Sequence, residues 1–260
     1  MNRQLKIISI DMNGLLSKGL ELTDAINNHK PDIVLLQETF LKSRHTFKFA
    51  NMTIHRNDRD GKRGGGTAIM IKRNIKHHET KLELNNAQIE STTIRIQTNT
   101  GHIKIASMYI PPSVNVTMQD FNELLETDET TVIMGDLNAK HEDWGCRTTN
   151  DRGRKLNAAL TSHRNAYLTA PDGHTHIDVH GNLDTLDYMI TINANRTSSV
   201  TTLQDIGSDH LPIATTLQYE ANIYNGKPPP DHTTTTGTLS RQHLTTHYTT
   251  TNWTQKQKKA

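Results

Sequence analysis

The segment Asp32-Ile33-Val34-Leu35-Leu36-Gln37-Glu38 decides the class of fold. Its four central residues are apolar, which predicts a strand buried on both faces, in a sheet that other layers cover on both sides. A carboxylate, Glu38, follows this strand directly. In open α/β proteins the carboxyl ends of such strands form the rim where ligands commonly bind. A charge that merely ends a strand is the alternative interpretation, and for a single residue it is the more common one.

Strands and helices alternate along the chain on both sides of this segment. Strands are predicted over residues 5–10, 32–36, 67–72, 131–134, 186–192, 200–204 and 213–218, and a hairpin joins strands near 94–96 and 103–109 through a turn at 99–101. Helices are predicted near 20–26, 118–125 and 153–163. Because hairpins are mixed with crossovers, we expect an α/β body with mixed sheets in a layered sandwich.

The composition excludes several classes of protein. The chain has 260 residues, with 29 Lys and Arg against 27 Asp and Glu, so its net charge of +2 argues against a histone-like polycation. Cys146 is the one cysteine, which excludes an intramolecular disulfide and a cysteine-based structural zinc site. A reducing compartment is the simplest inference.

The lengths of the apolar runs and the composition along the chain predict a soluble protein with one domain. The apolar runs are far shorter than the roughly 20 residues that span a bilayer, and no secretory leader opens the chain, so we expect an intracellular protein without a membrane partner. One domain is predicted over residues 1–219. Residues 220–260 change to a Thr-, Pro- and Lys-rich composition that predicts a flexible tail or linker.

A carboxylate and an amide follow the predicted strand at 131–134. Asp136 and Asn138 project to the same side of an extended chain, because the side-chain period of a strand is two residues. A carboxylate can take a proton from water, and a neighbouring amide can bind a phosphate oxygen or fix that water. A simple turn formed by Gly, Asp and Asn is the alternative.

A second polar group follows from Asp187, Asp209 and His210. Asp187 lies in an apolar strand, where a lone charge is costly unless it is paired. A carboxylate that accepts a hydrogen bond from one imidazole nitrogen favours the charged ring, which suits His210 to hold an anionic phosphate. For residues 208–212 a turn is again the alternative.

The acids at the strand ends predict a site for a hard metal ion. Glu38, Asp136 and Asp209 supply oxygen ligands, which suit Mg²⁺ or Mn²⁺ rather than Zn²⁺. Such an ion beside carboxylates indicates phosphoryl chemistry. Carboxylates near strand ends that serve only solubility are the metal-free alternative.

Six short motifs, taken in order, resemble those of the endonuclease/exonuclease/phosphatase family. They are Asp11-Met12-Asn13-Gly14-Leu15, Gln37-Glu38-Thr39, Met108-Tyr109-Ile110-Pro111-Pro112, Gly135-Asp136-Leu137-Asn138-Ala139, Leu186-Asp187-Tyr188 and Ser208-Asp209-His210. The resemblance covers about residues 5–219 and is greatest to the apurinic-type endonuclease domain of non-LTR retrotransposons of the Jockey group. Segments 62–69, 138–141, 144–145 and 152–153 are similar to that group in particular.

The resemblance implies a DNase I-like four-layer sandwich of two mixed sheets flanked by helices. It also implies magnesium-dependent hydrolysis of a DNA phosphodiester that leaves a 3′-hydroxyl. By the same resemblance, Glu38 is the principal metal ligand and Asp136 is the base or orients the attacking water. Asn138 and Tyr109 contact the scissile phosphate.

The remaining site residues also follow from the resemblance. Asp209 supports the metal or His210, and His210, held by Asp187, stabilises phosphate charge in the transition state. Asn13 matches a position near the metal. The family usually has Asn where this chain has Asp11, and the added charge either binds metal more tightly or repels the phosphate.

Two loops are interpreted as contacts to double-stranded DNA. Arg63 precedes a run of three glycines whose backbone amides can approach a phosphate, although a flexible hairpin turn is an equal alternative. Residues 175–187 predict a hairpin that turns near His180-Gly181-Asn182. In the resembling endonucleases this hairpin enters the minor groove, so residues 179–182 are expected to influence target choice. A metal site formed by His174, His176, Asp178 and His180 is the alternative for this segment.

Three functions are consistent with these observations. The first is a retrotransposon-type endonuclease that nicks chromosomal DNA in the nucleus and provides a primer for a reverse transcriptase domain elsewhere in the element. The second is an abasic-site endonuclease or a phosphatase of the same fold. The third, motivated by Asp11, is a decayed DNA-binding relic.

Overall fold

Two six-stranded sheets face each other at the centre of the protein. The computed structural model describes residues 4–59, 61–178, 180–194 and 198–224. In these residues the strands are β1 (Gln4–Asp11), β2 (Ile33–Gln37), β3 (Met52–Asn57), β4 (Thr67–Lys72), β5 (His77–Thr80), β6 (Glu90–Thr98), β7 (Gly101–Tyr109), β8 (Thr131–Asp136), β9 (Ala166–Thr169), β10 (His176–Ile177), β11 (Leu183–Asp184), β12 (Asp187–Ile192), β13 (Val200–Thr202) and β14 (Ile213–Glu220). The helices are α1 (Gly19–His29), α2 (Met118–Leu125) and α3 (Asp151–Ser162), and single 3₁₀ turns cover Leu15–Ser17 and Glu142–Trp144.

Both sheets are mixed, as the sequence predicts. The first sheet has the strand order β13-β14-β1-β2-β4-β3, and the second has the order β5-β6-β7-β8-β12-β9. Each contains one parallel pair, β1 with β2 and β7 with β8, while the other pairs are antiparallel. Strands β10 and β11 form a separate small hairpin.

The layers follow from which face of each strand is apolar. Ile7, Leu35, Ile105 and Val132 belong to an aliphatic core between the two sheets. Helix α1 packs its apolar side on the outer face of the first sheet. Helices α2 and α3 cover the outer face of the second sheet in the same way. The expected four-layer sandwich is therefore confirmed.

Three strands are missing from the sequence prediction, and all three are edge strands. β3 ends the first sheet, while β5 and β9 end the second. An edge strand has a neighbour on one side, and its side chains are more often polar, so the apolar alternation that identifies a strand is weak there. The sequence of β5, His77–Thr80, has no aliphatic residue.

The body continues a few residues past the predicted boundary at residue 219. Strand β14 ends at Glu220, and beyond it Ala221 and Ile223 form single bridges to Thr98 and Ile75. The predicted tail from residue 225 onward lies outside the described residues. Among the helices of the described part, none has the length and apolarity needed to cross a lipid bilayer.

Candidate active site

The polar residues singled out in the sequence meet at one rim of the two sheets. Asp11 ends β1, and Glu38 follows the neighbouring parallel strand β2. On the second sheet, Asp136 at the end of β8 pairs with Tyr109 on one side and with Asp187 on the other. The two parallel strand pairs thus bring acids from distant parts of the chain to the same end of the sandwich.

The Asp11 carboxylate is buried and only half satisfied. Asp11 is 2% exposed, and its Oδ1 accepts a hydrogen bond of 3.0 Å from the backbone N–H of Asn13. Its Oδ2 is buried and has no hydrogen-bond partner among the described residues. Since a buried carboxylate oxygen is normally satisfied, this atom marks a place where a cation fits.

Glu38 and Asn13 are held on strained backbone beside Asp11. Both have positive φ, 47° for Glu38 and 40° for Asn13. For Glu38 this left-handed conformation is unfavourable. It persists because hydrogen bonds fix the backbone on both sides: the Gly14 N–H donates to the Glu38 carbonyl, and the Thr39 N–H donates to the Gly66 carbonyl. The Tyr109 hydroxyl donates a hydrogen bond to the Glu38 carboxylate, and the Asn13 amide donates one of 3.0 Å to Asp209.

Asp136 and Asn138 form the connected pair that the sequence predicts. The backbone N–H of Asn138 donates to Asp136 Oδ1 at 2.8 Å, and its side-chain amide donates to Oδ2 at 2.5 Å. Asn138 has a φ of 49°, a left-handed conformation that Asn tolerates. The hydrogen bonds of this turn fix the orientation of the buried Asp136 carboxylate at the rim.

The predicted pairing of Asp187 with His210 is present. His210 Nδ1 lies 2.7 Å from Asp187 Oδ2, and both side chains are buried. The ring of His176 packs edge-on against the ring of His210, with centroids 4.7 Å apart. We call His176 and His210 the rim pair. Asp209 beside them is exposed, so the charged groups of the site run from the buried end of β1 to the surface.

The pKa values of the site reflect several buried carboxylates close to one histidine. Burial raises the pKa of Asp11 well above its usual range, and burial together with Asp187 raises the pKa of Asp136 to about 7, although His210 opposes both shifts. Burial alone would lower the pKa of His210, but Asp187, Asp136 and Asp11 raise it well above its usual value. The site therefore favours an imidazolium and has surplus negative charge for a cation.

Two groups of side chains have the spacing of metal ligands. The ligating atoms of Asp11, Asp136 and His210 lie within 4.8 Å of one another, and so do those of His176, Asp209 and His210. Burial would raise the pKa of Asp209, but the Asn13 amide and His210 lower it, so this carboxylate is held in its charged form. The carboxylate and amide oxygens of this rim fit a hard divalent cation.

Sequence reasoning missed two residues that support the site. Arg152 is 9% exposed, and its guanidinium donates to the backbone carbonyls of Ile110, Leu137, Pro111 and Val114. These carbonyls belong to the loops that follow Tyr109 and Asp136, so Arg152 fixes both loops. Burial lowers its pKa. Thr175 accepts hydrogen bonds from the backbone N–H groups of Leu186 and Asp187.

His176 is a third such residue, because the sequence predicts a different role for it. The sequence pattern groups it with His174, Asp178 and His180 as an alternative metal site, whereas in the structure it bridges to His210 and lies beside Asp209. The signal was an unusual density of histidines in a short segment. Its partners are more than 30 positions away and are not visible in local spacing.

A polar bridge joins the two sheets directly below the rim. Gln37 on β2 accepts a hydrogen bond from Ser9 and donates one of 2.7 Å to Ser107 on β7 of the other sheet. Ser107 in turn donates to the backbone carbonyl of Leu36. All of these groups are buried between aliphatic layers, so the bridge fixes the two halves of the site against each other.

Arg63 lies in a basic cleft next to the site. The cleft is lined by Phe40, Lys42, Arg44, Lys62, Arg63 and Gly64. The expectation that the glycine run offers free backbone amides is not met at Gly66, because its N–H donates to the Glu90 carboxylate. The cationic side chains of this loop can also meet a phosphate.

The predicted hairpin is formed by β10 and β11 and turns at residues 178–182. The Asp178 carboxylate accepts hydrogen bonds from the backbone N–H groups of His180 and Asn182 and from the Asn182 side chain. These bonds lower the pKa of Asp178 to about 2. Residue 179, part of the predicted target-selecting tip, lies outside the described residues.

The base of the hairpin is anchored to the loop after β8. Asp184 on β11 is buried, and its carboxylate accepts a hydrogen bond of 2.6 Å from Lys140 Nζ. Two apolar side chains that pair across the hairpin, Ile177 and Leu183, are 46% and 41% exposed. The hairpin therefore combines a fixed base with an apolar surface.

The chain is similar to known proteins over most of its length. Residues 103–214 match the family model described as "Endonuclease-reverse transcriptase". The chain is 30% identical over 229 residues to the probable RNA-directed DNA polymerase from transposon X-element of Drosophila melanogaster. It is 29% identical over 219 residues to the RNA-directed DNA polymerase from mobile element jockey of the same organism.

These two matches cover 85% and 82% of this chain but 25% and 24% of the relatives, so the chain spans about a quarter of their length. Among solved structures, the endonuclease domain of TRAS1, a telomere-specific non-LTR retrotransposon, matches with a TM-score of 0.68 at 17% identity. That match covers 83% of this chain and 98% of the TRAS1 domain, and it shows the expected DNase I-like fold. The chain thus belongs to the endonuclease/exonuclease/phosphatase family, in the branch formed by the endonuclease domains of non-LTR retrotransposons.

Proposed function

We propose that this domain is a Mg²⁺-dependent endonuclease that nicks one strand of double-stranded DNA, Mn²⁺ being an alternative cofactor. The 3′-hydroxyl left at the nick primes reverse transcription by a reverse transcriptase domain of the full-length element, and the reaction takes place in the nucleus. The observation that carries this proposal is the convergence of Asp11, Asp136 and His210 within 4.8 Å. Buried carboxylates beside a paired histidine suit hydrolysis of an anionic phosphodiester.

A divalent cation bound at this rim supplies charge neutralisation for the phosphate and lowers the pKa of water. Glu38, Asp11, Asn13 and Asp209 are the residues that would hold it. The orphan Oδ2 of Asp11 and the raised pKa of its carboxyl support this assignment, because both indicate uncompensated negative charge. Asp11 thus contributes a ligand in place of the Asn usual in the family.

Asp136 acts on the attacking water, and His210 and Tyr109 act on the phosphate. Asp136, with its pKa raised to about 7, is suited to accept a proton from water near neutral pH, and Asn138 orients its carboxylate. His210, charged by its pairing with Asp187 through Nδ1, donates a hydrogen bond from Nε2 to a phosphate oxygen where negative charge develops. Tyr109, whose hydroxyl donates a hydrogen bond to Glu38, places that hydroxyl beside the same phosphate.

The surfaces around the rim support a DNA substrate. The Arg63 cleft offers cations to the backbone, which supply the sequence-independent part of DNA affinity. The hairpin offers the exposed side chains of Ile177 and Leu183, and apolar side chains of this kind can wedge between base steps in the minor groove. The hairpin, with His180 and Asn182 at its tip, is thus proposed to influence which step is cut.

The test is nicking of supercoiled plasmid by the parent protein with Mg²⁺ and with EDTA, beside Asp136→Asn and Asp209→Ala. We expect relaxation that requires the metal and falls at least about 10²-fold in both variants. End-labelling of the nicked strand then checks for the 3′-hydroxyl. Matched duplexes with and without an abasic site, and a soluble phosphate ester, distinguish the related activities of this fold.

The Asp11→Asn variant separates an active enzyme from a decayed one. If Asp11 serves as a ligand, the variant nicks no faster than the parent. A folded parent that is inert with Mg²⁺ and Mn²⁺, and regains nicking as Asp11→Asn, would identify a relic and contradict the proposed activity.

A further inference from the structure

A second pair of histidines lies outside the candidate active site, on the open edge of the sandwich. His55 belongs to β3, the edge strand of the first sheet, and His77 belongs to β5, the edge strand of the second. Their rings meet edge-on with centroids 5.2 Å apart. We call His55 and His77 the edge pair. Neither strand carries a residue of the site described above.

Both histidines point inward, toward the core between the sheets. His55 pairs with Ile69 and His77 pairs with Ile96, and both isoleucines belong to the inter-sheet aliphatic core. His55 is 8% exposed. Since aliphatic side chains fill the rest of this layer, four imidazole nitrogens at its edge require hydrogen-bond partners or a ligand.

The outer nitrogens of both rings have acceptors. His55 Nδ1 lies 3.3 Å from the Glu79 carboxylate, and His77 Nδ1 lies 2.7 Å from the backbone carbonyl of Ile75. A carboxylate and a carbonyl only accept hydrogen bonds, so both contacts favour the tautomer in which Nδ1 carries the proton. In that tautomer each Nε2 presents a lone pair.

The two Nε2 atoms face each other at 3.1 Å. At this distance one ring donates an Nε2 proton to the other, or, where both Nδ1 atoms carry the protons, a cation lies between the two Nε2 lone pairs. That cation is either a single shared proton or a metal ion.

We propose that the edge pair binds a divalent transition metal ion, with Zn²⁺ as the best fit, through the Nε2 atoms of His55 and His77. Zinc–imidazole bonds are about 2.05 Å long, so nitrogens 3.1 Å apart correspond to an angle of roughly 100° at the metal, near the tetrahedral value. Imidazole nitrogens favour zinc, nickel and copper over magnesium. The site is thus chemically distinct from the oxygen-rich rim.

The surroundings of both rings match those of metal-bound histidines. Such histidines commonly donate the other ring N–H to a carboxylate or a backbone carbonyl, which fixes the ring and strengthens the ligand. Glu79 and the Ile75 carbonyl occupy these positions here. The Glu79 side chain is 61% exposed and His77 is partly buried, so the edge pair borders solvent, and water would supply the remaining ligands of the ion.

A metal ion at this place would connect the two sheets. β3 and β5 belong to different sheets, and the unfolded chain does not hold their histidines together, so the ion would bind the folded state and stabilise it. Nicking itself would be unchanged, because neither histidine belongs to the catalytic rim.

The test is thermal denaturation and calorimetric titration with Zn²⁺ in excess Mg²⁺, with the parent, His77→Gln and His78→Gln. His78 is the matched control, because it is the next residue of β5 and is exposed on the opposite face. At a zinc concentration about 100 times Kd we expect a rise in melting temperature of roughly 5 °C for the parent and for His78→Gln. His77→Gln should lose this rise and one binding event.

Two further measurements keep the result decisive. Glu79→Gln leaves both ligands in place and should weaken zinc binding by about 10-fold, even if His77→Gln folds poorly. In ¹⁵N spectra zinc should shift the Nε2 resonances of His55 and His77. A zinc response that persists in His77→Gln would assign the ion to the rim instead, and an Nε2 proton that zinc does not displace would identify a shared proton. Either result overturns the proposal.

Discussion

The rim pair and the edge pair have the same local design and different surroundings. In each, two imidazole rings meet edge-on, and a carboxylate faces one Nδ1, at 2.7 Å for His210 and 3.3 Å for His55. Several buried carboxylates surround the rim pair. The edge pair closes an aliphatic core, and its carboxylate partner is largely exposed.

This difference shows that the charges and hydrogen-bond acceptors around a pair of histidines decide what the pair can bind. At the rim, buried acids raise the pKa of His210, so the ring is a cation that can stabilise an anion. At the edge, both Nδ1 atoms face acceptors and the two Nε2 atoms face each other, which is the arrangement proposed above to bind a metal ion. Two predictions test this contrast directly, and two more test the hairpin that carries His176.

The largest effect is expected when one member of each pair is removed. His210→Ala should lower the rate of plasmid nicking by about 10³-fold, because a charged donor to the developing phosphate charge is lost. His77→Ala should keep the parent rate. Initial rates with Mg²⁺ measure both. Equal losses in the two variants would mean that the contrast is false and that both pairs act only through stability.

The next effect concerns the carboxylate that faces each pair. Asp187→Asn removes the charge that holds His210 as a cation, and the nicking rate should fall by about 10²-fold. Glu79→Gln is the matched change at the edge and should leave the rate unaltered. A full rate in Asp187→Asn would show that the orientation of the ring, rather than its charge, matters.

A smaller effect is expected from the anchor of the hairpin that carries His176. Lys140→Met removes a charged donor from the buried Asp184 carboxylate and should lower the free energy of unfolding by about 2 kcal/mol near neutral pH. Burial would raise the pKa of Asp184, but Lys140 and Arg147 lower it.

The pH dependence of that difference has a definite sign. Because the folded pKa of Asp184 is depressed, its contribution is present above the unfolded pKa, about 3.9, and is lost as the pH falls through the folded value. The parent and Lys140→Met should therefore converge in acid. Arg154→Met, which removes an exposed ion pair with Asp151, serves as the control and should change stability by less than about 0.5 kcal/mol.

The smallest change in rate is expected at the apolar surface of the hairpin. Leu183→Ser should shift the distribution of nick sites on a sequenced duplex and change the total rate by less than about threefold, because the proposed role of this exposed side chain is to contact DNA away from the reacting atoms. Leu20→Ser, at an equally exposed apolar position on α1, should leave the map unchanged. An identical map for both variants would remove the hairpin from target choice.

The composition of the rim could be predicted from the sequence because its residues sit at strand ends. Glu38 and Asp136 each follow a run of buried apolar residues, and this local pattern places them at the edge of a sheet. The contact between Asn13 and Asp209 joins residues 196 positions apart, and the family resemblance predicts only that Asn13 lies near the metal and that Asp209 supports the metal or His210. The roles of Arg152 and His176 depend on backbone atoms and rings that local spacing does not describe.

The edge pair was invisible to the sequence for a related reason. β3 and β5 are short, polar edge strands, so their alternation did not predict strands at all. Without these strands, the inward direction of His55 and His77 had no basis. Edge strands are thus where sequence reasoning failed for this fold and where the structure adds most.

The polar bridge from Gln37 to Ser107 has a consequence for how the site responds to partial unfolding. Glu38 follows a strand of one sheet and Asp136 lies in the other, and this bridge fixes the position of one sheet relative to the other below them. A slip of about 1 Å between the sheets can lower a rate 100-fold while both hydrophobic layers persist. Mild denaturant should therefore abolish the proposed cleavage activity at concentrations lower than those that unfold the chain.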